Sequence, residues 1–229
     1  MQIEEDTFMK FGERIEFHAH TIFSDGVLLP SELVRLAKVM NHKAIAITDH
    51  VDISTLDHVL PRIVQVSEEL MKYWDITVVP GAELTMIPAE SIPELTDKAR
   101  EYGAKLVLVH GETLAEPVEE GTNLAAVNAD IDILAHPGLI TEEVCQVASN
   151  NGVIFELTSR RGHALTNGIV AKLAIENGVK LIVCTDAHEP GDLIDQEVAW
   201  KIAVGAGLSK QQAREALEIT PERLLKRII

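Results

Sequence analysis

Residues 43–50 read KAIAITDH: a run of four apolar residues, 44–47, that stops abruptly at Thr-Asp-His. A run this short and uninterrupted is buried on both faces, as the strands of a parallel sheet are; a strand with one face in water would alternate apolar and polar residues. The same form recurs as RIEFHA, ITVVPGAE, KLVLVH, DIDILAH, GVIFEL and KLIVCTD, giving seven strands. Between them lie segments of helical periodicity: PSELVRLAKVM with Pro30 in its first turn, LPRIVQVSEELMKYW, IPELTDKAREYG, and TEEVCQVASNNG with Thr141 as N-cap and Gly152 just past the end. Two more helices close the chain. SKQQAREALEI opens on a capping box of Ser209 and Gln212, and in TPERLLKRI Thr220 caps and Pro221 takes the first helical position. Strand–helix alternation with no low-complexity linker implies an α/β fold, a (β/α) barrel in one domain over residues 1–229.

Composition narrows the function. With 20 Lys+Arg against 36 Asp+Glu the net charge is −16, which repels a phosphate backbone, and aromatic residues make up only 4% of the chain, too few for base-stacking platforms. Nucleic acid is therefore an unfavoured partner. Cys145 and Cys184 are far apart, lie in no metal-binding spacing and read as small buried apolar residues. The N-terminal segment is acidic, without the apolar run of a signal peptide, and no stretch approaches a membrane span, so a cytoplasmic protein with no membrane partner is expected.

In a (β/α) barrel the chemistry gathers at the C-terminal ends of the strands. Here the first strand ends in His18 and His20, whose i, i+2 spacing sends both rings to one side. The second ends in His50, the third in Glu83, the fourth in His110, the fifth in His136, and the seventh in Asp186 and His188. Six of the nine histidines fall at these ends, while His42, His58 and His163 fall elsewhere. A core gains nothing from desolvating so many imidazoles and carboxylates unless cations compensate them. These eight side chains plus Asp25 exceed what one ion coordinates, so two or three divalent ions are implied.

HAHTIFSDG, AIAITDH, GAE, VHGE, ILAHPG and TDAH, in this order and over most of the chain, resemble the polymerase and histidinol phosphatase (PHP) family. The resemblance implies a distorted (β/α)7 barrel, TIM-like in plan, with three metals, usually manganese, zinc or iron. It assigns His18, His20, Glu83 and Asp186 to one ion, Glu83 as a bridge with His110 and His136 to a second, and Asp25, His50 and His188 to the third. Asp25 stands where many members have histidine. The spelling is similar to stand-alone members described as histidinol-phosphate phosphatase-like. A hydrolase for a small phosphomonoester, by resemblance L-histidinol phosphate, is thus expected, with hydroxide bridging two ions as the attacking group and His18, His20, Glu83 and Asp186 as the catalytic core. A nuclease or phosphodiesterase of the same family is the alternative, and a non-catalytic metal-binding domain a third reading that the complete ligand set disfavours.

The remaining candidates are for substrate. Arg160 and Arg161, in the loop after the sixth strand, suit a phosphate group, or form a solvated pair. His163 reads as a general acid, a substrate contact or a surface histidine, and Glu156 as a partner for a substrate amine. Asp49 and Glu112 flank expected ligands and read as orienting groups or proton relays, or as solvated or capping residues. Gly111 and Gly138 suit tight strand-to-loop turns.

Overall fold

The computed structural model describes residues 11–229, so most of the N-terminal segment read above lies outside the described residues. Each apolar run folds into a strand: β1 (Arg14–Glu16), β2 (His42–Ile47), β3 (His50–Val51), β4 (Thr77–Leu84), β5 (Leu106–His110), β6 (Ile133–Ala135), β7 (Ile154–Thr158) and β8 (Leu181–Cys184). All pairings are parallel, in the order β1-β2-β4-β5-β6-β7-β8, with the two-residue β3 added to β4. A single parallel bridge, Ala19 to Ala187, joins the segments beyond β1 and β8. The result is the expected (β/α)7 barrel, nearly closed, with β3 as a stub that the sequence reading did not separate from β2.

Two apolar clusters fill the molecule. One is Ile15, Phe17, Ala44, Ala46, Val79, Leu106, Leu108, Ile133, Ile182 and their neighbours, joined by Leu224, Leu225 and Ile228. The other packs the opposite strand faces against the helices α1 (Pro30–Val39), α2 (Leu56–Met71), α3 (Ile92–Glu101), α4 (Thr122–Asn128), α5 (Glu142–Asn151), α6 (Asn167–Asn177), α7 (Gln196–Gly205) and α8 (Lys210–Arg214). The last helix, α9 (Thr220–Ile228), supplies the three side chains of the first cluster. Cys145 and Cys184 are free and buried, as expected.

The helix signals hold with two corrections. Thr141 accepts from the Val144 N–H, Gly152 ends α5 at φ 74°, and Ser209 and Gln212 form their capping box. α2 begins at Leu56, earlier than the expected Leu60, because Leu56, Val59, Leu60 and Ile63 form one buried face that carries the helix through Pro61. Thr220 is not a cap: the chain passes from α8 through a π-helical turn, Glu215–Ile219, straight into α9. Pro221 has no N–H to give to the Leu217 carbonyl, and Gln196 Nε2 donates to it instead at 3.0 Å. Among the described residues, no helix is long and apolar enough to cross a membrane.

Candidate metal centre

The topology brings all nine expected ligands to one rim. His18 and His20 follow β1, and the bridge beside β8 sets them next to Asp186 and His188: His20 N–H donates to the Ala187 carbonyl (2.8 Å) and Ala187 N–H to that of His18 (3.3 Å). β3 puts His50 in direct register with Glu83 on β4, and the last residue of β5, His110, faces Ala135, which precedes His136. Two loops then turn backbone against backbone. A Cβ on Gly138 (φ 69°) would lie 1.8 Å from the Glu112 carbonyl oxygen, and one on Gly111 2.4 Å from that of Ala135, so both positions demand glycine.

Glu83, fully buried, is the hub. Its Oε1 lies 3.3 Å from His18 Nε2 and 3.4 Å from His136 Nε2, and its Oε2 lies 2.7 Å from His50 Nδ1 and 3.6 Å from His20 Nε2. Asp186 Oδ1 stands 3.0 Å from His20 Nε2 and 3.5 Å from His18 Nε2. Asp25 reaches in from its loop, 3.0 Å from His188 Nε2 and 3.4 Å from His50 Nε2. Four groupings have mutually close ligand atoms: His18, His20 and Asp186; His18, His136 and Glu156; Glu83, His110 and His136; and His20, Asp25, His50 and His188.

These residues fit divalent cations. His18 Nε2, both ring nitrogens of His20, Glu83 Oε1, His110 Nδ1, His136 Nδ1 and Asp186 Oδ1 are buried with no hydrogen-bond partner. Buried polar atoms elsewhere in proteins are almost always satisfied, and the donor set of imidazole and carboxylate suits zinc, manganese or iron. His136 (φ 26°) and Asp186 (φ 51°) also hold left-handed backbone conformations that cost non-glycine residues on the order of 1 kcal/mol or more each.

The charges are organised to match. Burial opposes ionisation of Glu83, yet His18 and His50 outweigh it and hold its carboxyl well below the usual range. The same contest, won by His18 and His20, keeps Asp186 low, and His188 and His50 keep Asp25 low. Against burial, Glu83 lifts His50 to about 10, and Glu83, Glu156 and Asp186 hold His18 well above its ordinary value. Burial dominates at His20, lowered to about 3, and at His110, lowered to about 4. The rim therefore gathers ionised carboxylates whose charge is balanced, without metal, by protons on some rings.

The substrate candidates separate. Arg160 turns inward: Nε lies 3.4 Å from Asp186 Oδ2 and Nη1 donates to the Asp186 carbonyl (3.2 Å) and to Asp192 Oδ2 (3.3 Å). Arg161 is exposed. Both line a cleft of about 630 Å³ that His188, Ile194, Val198 and Ile202 complete. His163 is buried, not on the surface; its ring stands 4.4 Å from that of His136 and its Nδ1 pairs with Thr113 Oγ1 at 2.7 Å. Burial and His136 lower it to about 4.

Glu156 is the correction. It is fully buried, with one oxygen 3.1 Å from His18 Nδ1 and the other accepting from the His136 N–H at 2.8 Å, so neither is open to a substrate amine. It fixes the ring of His18 and the backbone of His136, as groups that orient metal ligands do. Asp49 does not touch His50's ring; it accepts from Thr21 N–H, Thr21 Oγ1 and Ser24 Oγ, pinning the loop that carries Asp25. Glu112 caps α4 by accepting from the Gly121 and Asn123 N–H groups. Sequence reasoning missed Glu116, 2.9 Å from His110 Nε2, and Asp192, which accepts from the His188 and Glu189 N–H groups. Nothing distinguishes Glu116 from its acidic neighbours in the sequence, whereas Asp192, just past Pro190-Gly191, carries the signal of a turn.

The chain is similar to known proteins along most of its length. The chain is 52% identical to an uncharacterized protein of Methanocaldococcus jannaschii over 217 residues, 94% of this chain and all of that one. It is 27% identical over 232 residues to ribonuclease P protein component 3 of Methanosarcina mazei, covering 94% and 90% of the two chains. Among solved structures, a chain of archaeal ribonuclease P with mature tRNA superimposes with a TM-score of 0.71 at 18% identity, covering 92% of this chain and 90% of that one. The histidinol phosphate phosphatase of Lactococcus lactis, solved with zinc, L-histidinol and phosphate, superimposes with a TM-score of 0.60 at 16% identity, covering 86% and 95%. The PHP domain model matches residues 16–160, which include seven of the nine expected ligands, and the chain belongs to the PHP domain family.

Proposed function

We propose that this chain is a metal-dependent phosphoesterase acting on a small phosphomonoester, with L-histidinol phosphate the first candidate. The observation that carries the reading is the cluster around Glu83: nine imidazoles and carboxylates at one rim, many with buried ligand atoms that no protein group satisfies. His18, His20 and Asp186 would hold one ion with Glu83, His110 and His136 a second with the same Glu83, and Asp25, His50 and His188 a third. Divalent ions, when bound, lower the pKa of water and neutralise charge on phosphoryl oxygens.

The chain's own side chains then position and exclude. Arg160, anchored by Asp192, presents guanidinium N–H groups beside Asp186 where a phosphate oxygen can accept them. His163, kept neutral by burial, is a hydrogen-bond partner for the ester rather than a store of protons. The cleft behind His188 has the size of a small-ligand site, with Arg161 at its edge and Ile194, Val198 and Ile202 to receive a leaving group. A nuclease or phosphodiesterase acting on nucleotides or oligonucleotides is the second reading, favoured by the 27% identity to ribonuclease P component 3 along nearly the whole chain. The net charge of −16 opposes it.

The test is phosphate release from L-histidinol phosphate, nucleoside monophosphates and an aryl phosphate, with manganese restored to chelator-stripped protein, beside cleavage of labelled single-stranded DNA and RNA. Preference for L-histidinol phosphate supports the first reading. Polynucleotide cleavage without phosphomonoester turnover replaces it with the second.

A further inference from the structure

Among the described residues, the candidate metal centre straddles the one place where the barrel has no strand ladder. β1 and β8 are the two ends of the sheet path; among the described residues one parallel bridge, Ala19–Ala187, joins them, and beside it Thr185 Oγ1 donates to the His18 carbonyl at 3.2 Å. Below that bridge the N–H groups of Phe17, His18 and Thr185 have no strand partner across the gap. A single buried oxygen takes all three: Glu16 Oε1 accepts from Phe17 N–H at 3.1 Å, His18 N–H at 3.0 Å and Thr185 N–H at 3.1 Å. The other oxygen of Glu16 receives Arg14 Nη2 at 2.8 Å. That same nitrogen donates to the Val183 carbonyl on β8 at 2.9 Å, and Nη1 reaches Gln196 Oε1 on α7 at 3.4 Å. Glu16 is fully buried and Arg14 is 2% exposed, so neither takes part in solvent or substrate contacts.

We infer that Glu16, backed by Arg14, is the positioning residue that sets the spacing between His18 and Asp186 across the barrel seam. The carboxylate bonds the backbone of His18 itself and of Thr185, the residue before Asp186, so it does for these two ligands what a β-ladder does elsewhere in the sheet. Removing it orphans three buried N–H groups at once and lets the two strand ends drift. His110 ends ladder-paired β5 and His136 directly follows β6, its neighbour in the sheet, so both lie outside this clasp. Loss of Glu16 therefore weakens the ion held by His18, His20 and Asp186 and spares the one held by His110 and His136.

The inference rests on the metal reading of the rim, and the experiment separates the two. Cobalt(II) is titrated into chelator-stripped full chain and followed by its visible absorption, with His110→Ala marking the binding phase of the second ion. Arg14→Met/Glu16→Ala, which leaves no unpaired buried cation, is expected to lose at least tenfold in affinity in one phase while the phase that His110→Ala removes is unchanged. Arg14→Met/Glu16→Gln, which returns an acceptor oxygen to the three N–H groups, is expected to restore most of the loss. Identical titrations of the wild type and the Met/Ala variant overturn the inference, as does equal weakening of every phase or a Gln variant no better than Ala. Should the Met/Ala variant fail to fold, Glu16→Asp keeps the charge and withdraws the oxygen by one carbon; selective loss in one phase supports the inference and an unchanged titration overturns it. Absence of cobalt binding by the wild type instead removes the metal reading itself.

Discussion

The two halves of the barrel interior are built to opposite rules. Toward the N-terminal ends of the strands the space is filled by Ile15, Phe17, Leu106, Leu108, Ile133 and Ile182 and shut by Leu224, Leu225 and Ile228 of α9. Toward the C-terminal ends the same strands deliver His18, His20, Glu83, His110, His136 and Asp186, buried as deeply but with unsatisfied nitrogen and oxygen atoms and two left-handed backbones. The lower half supplies stability from apolar burial; the upper half gives some of it up to hold an unsatisfied, charged array in place. Substitutions in the two halves should separate activity from stability.

The largest effect is expected in the upper half. His20→Ala and Asp186→Ala should each lower phosphate release by more than about 100-fold, since even groups that only orient metal ligands are worth 10–100-fold. Circular dichroism and thermal melts should show both variants folded, because neither opens the apolar core. Unchanged specific activity with controlled metal would break the comparison at its upper half. In the lower half, Leu108→Ala should cost about 2–5 kcal/mol in urea unfolding while the folded fraction keeps its full metal content by elemental analysis.

Smaller effects sharpen the boundary between the halves. Glu156→Ala should reduce metal affinity by roughly 10–100-fold, as expected of a carboxylate that orients His18, with no selective change in KM. An isolated rise in KM would return Glu156 to the substrate. Arg160→Ala should raise KM for phosphomonoesters by roughly tenfold, the worth of one charge-assisted hydrogen bond, and Arg161→Ala, exposed at the cleft edge, by less. Equal effects of the two would contradict their separation.

The smallest expected effect concerns His42, at the start of β2 in the lower half. Burial, and then the neighbouring Arg14, lowers its pKa to about 4, so the folded protein keeps the ring neutral where the unfolded chain, near 6.5, takes up a proton. Its contribution is therefore complete above pH 6.5 and lost as pH falls toward 4. Urea unfolding of manganese-loaded protein from pH 7 to 5 should show a shallower pH dependence for His42→Met than for the wild type. Parallel curves would place His42 outside the titrating set.

The sequence showed the strands and the rim because both leave local marks. Short unbroken apolar runs can only be buried strands here, and a histidine or acid at the end of nearly every run has no other common cause. What escaped it depends on neighbours distant in the chain. α4, α6 and α7 leave little local mark: α4 is seven residues long and opens on Gly121, while α6 and α7 have apolar residues spread around the helix, which blurs the period. Glu156 looked like a substrate contact because nothing local says that its strand turns it toward His18 and the His136 backbone. Glu16 lies in the RIEFHA run with no local mark of a special role, since the gap it spans exists only once β1 and β8 come round to meet.

The most direct test of the metal-dependent phosphoesterase centre is a titration of chelator-stripped protein with manganese, reading phosphate release from L-histidinol phosphate and an aryl phosphate at each addition. Turnover should be absent at the start and rise to a plateau at two or three equivalents per chain. Turnover that persists in stripped protein, or that fails to appear with manganese, zinc or iron, would contradict the account.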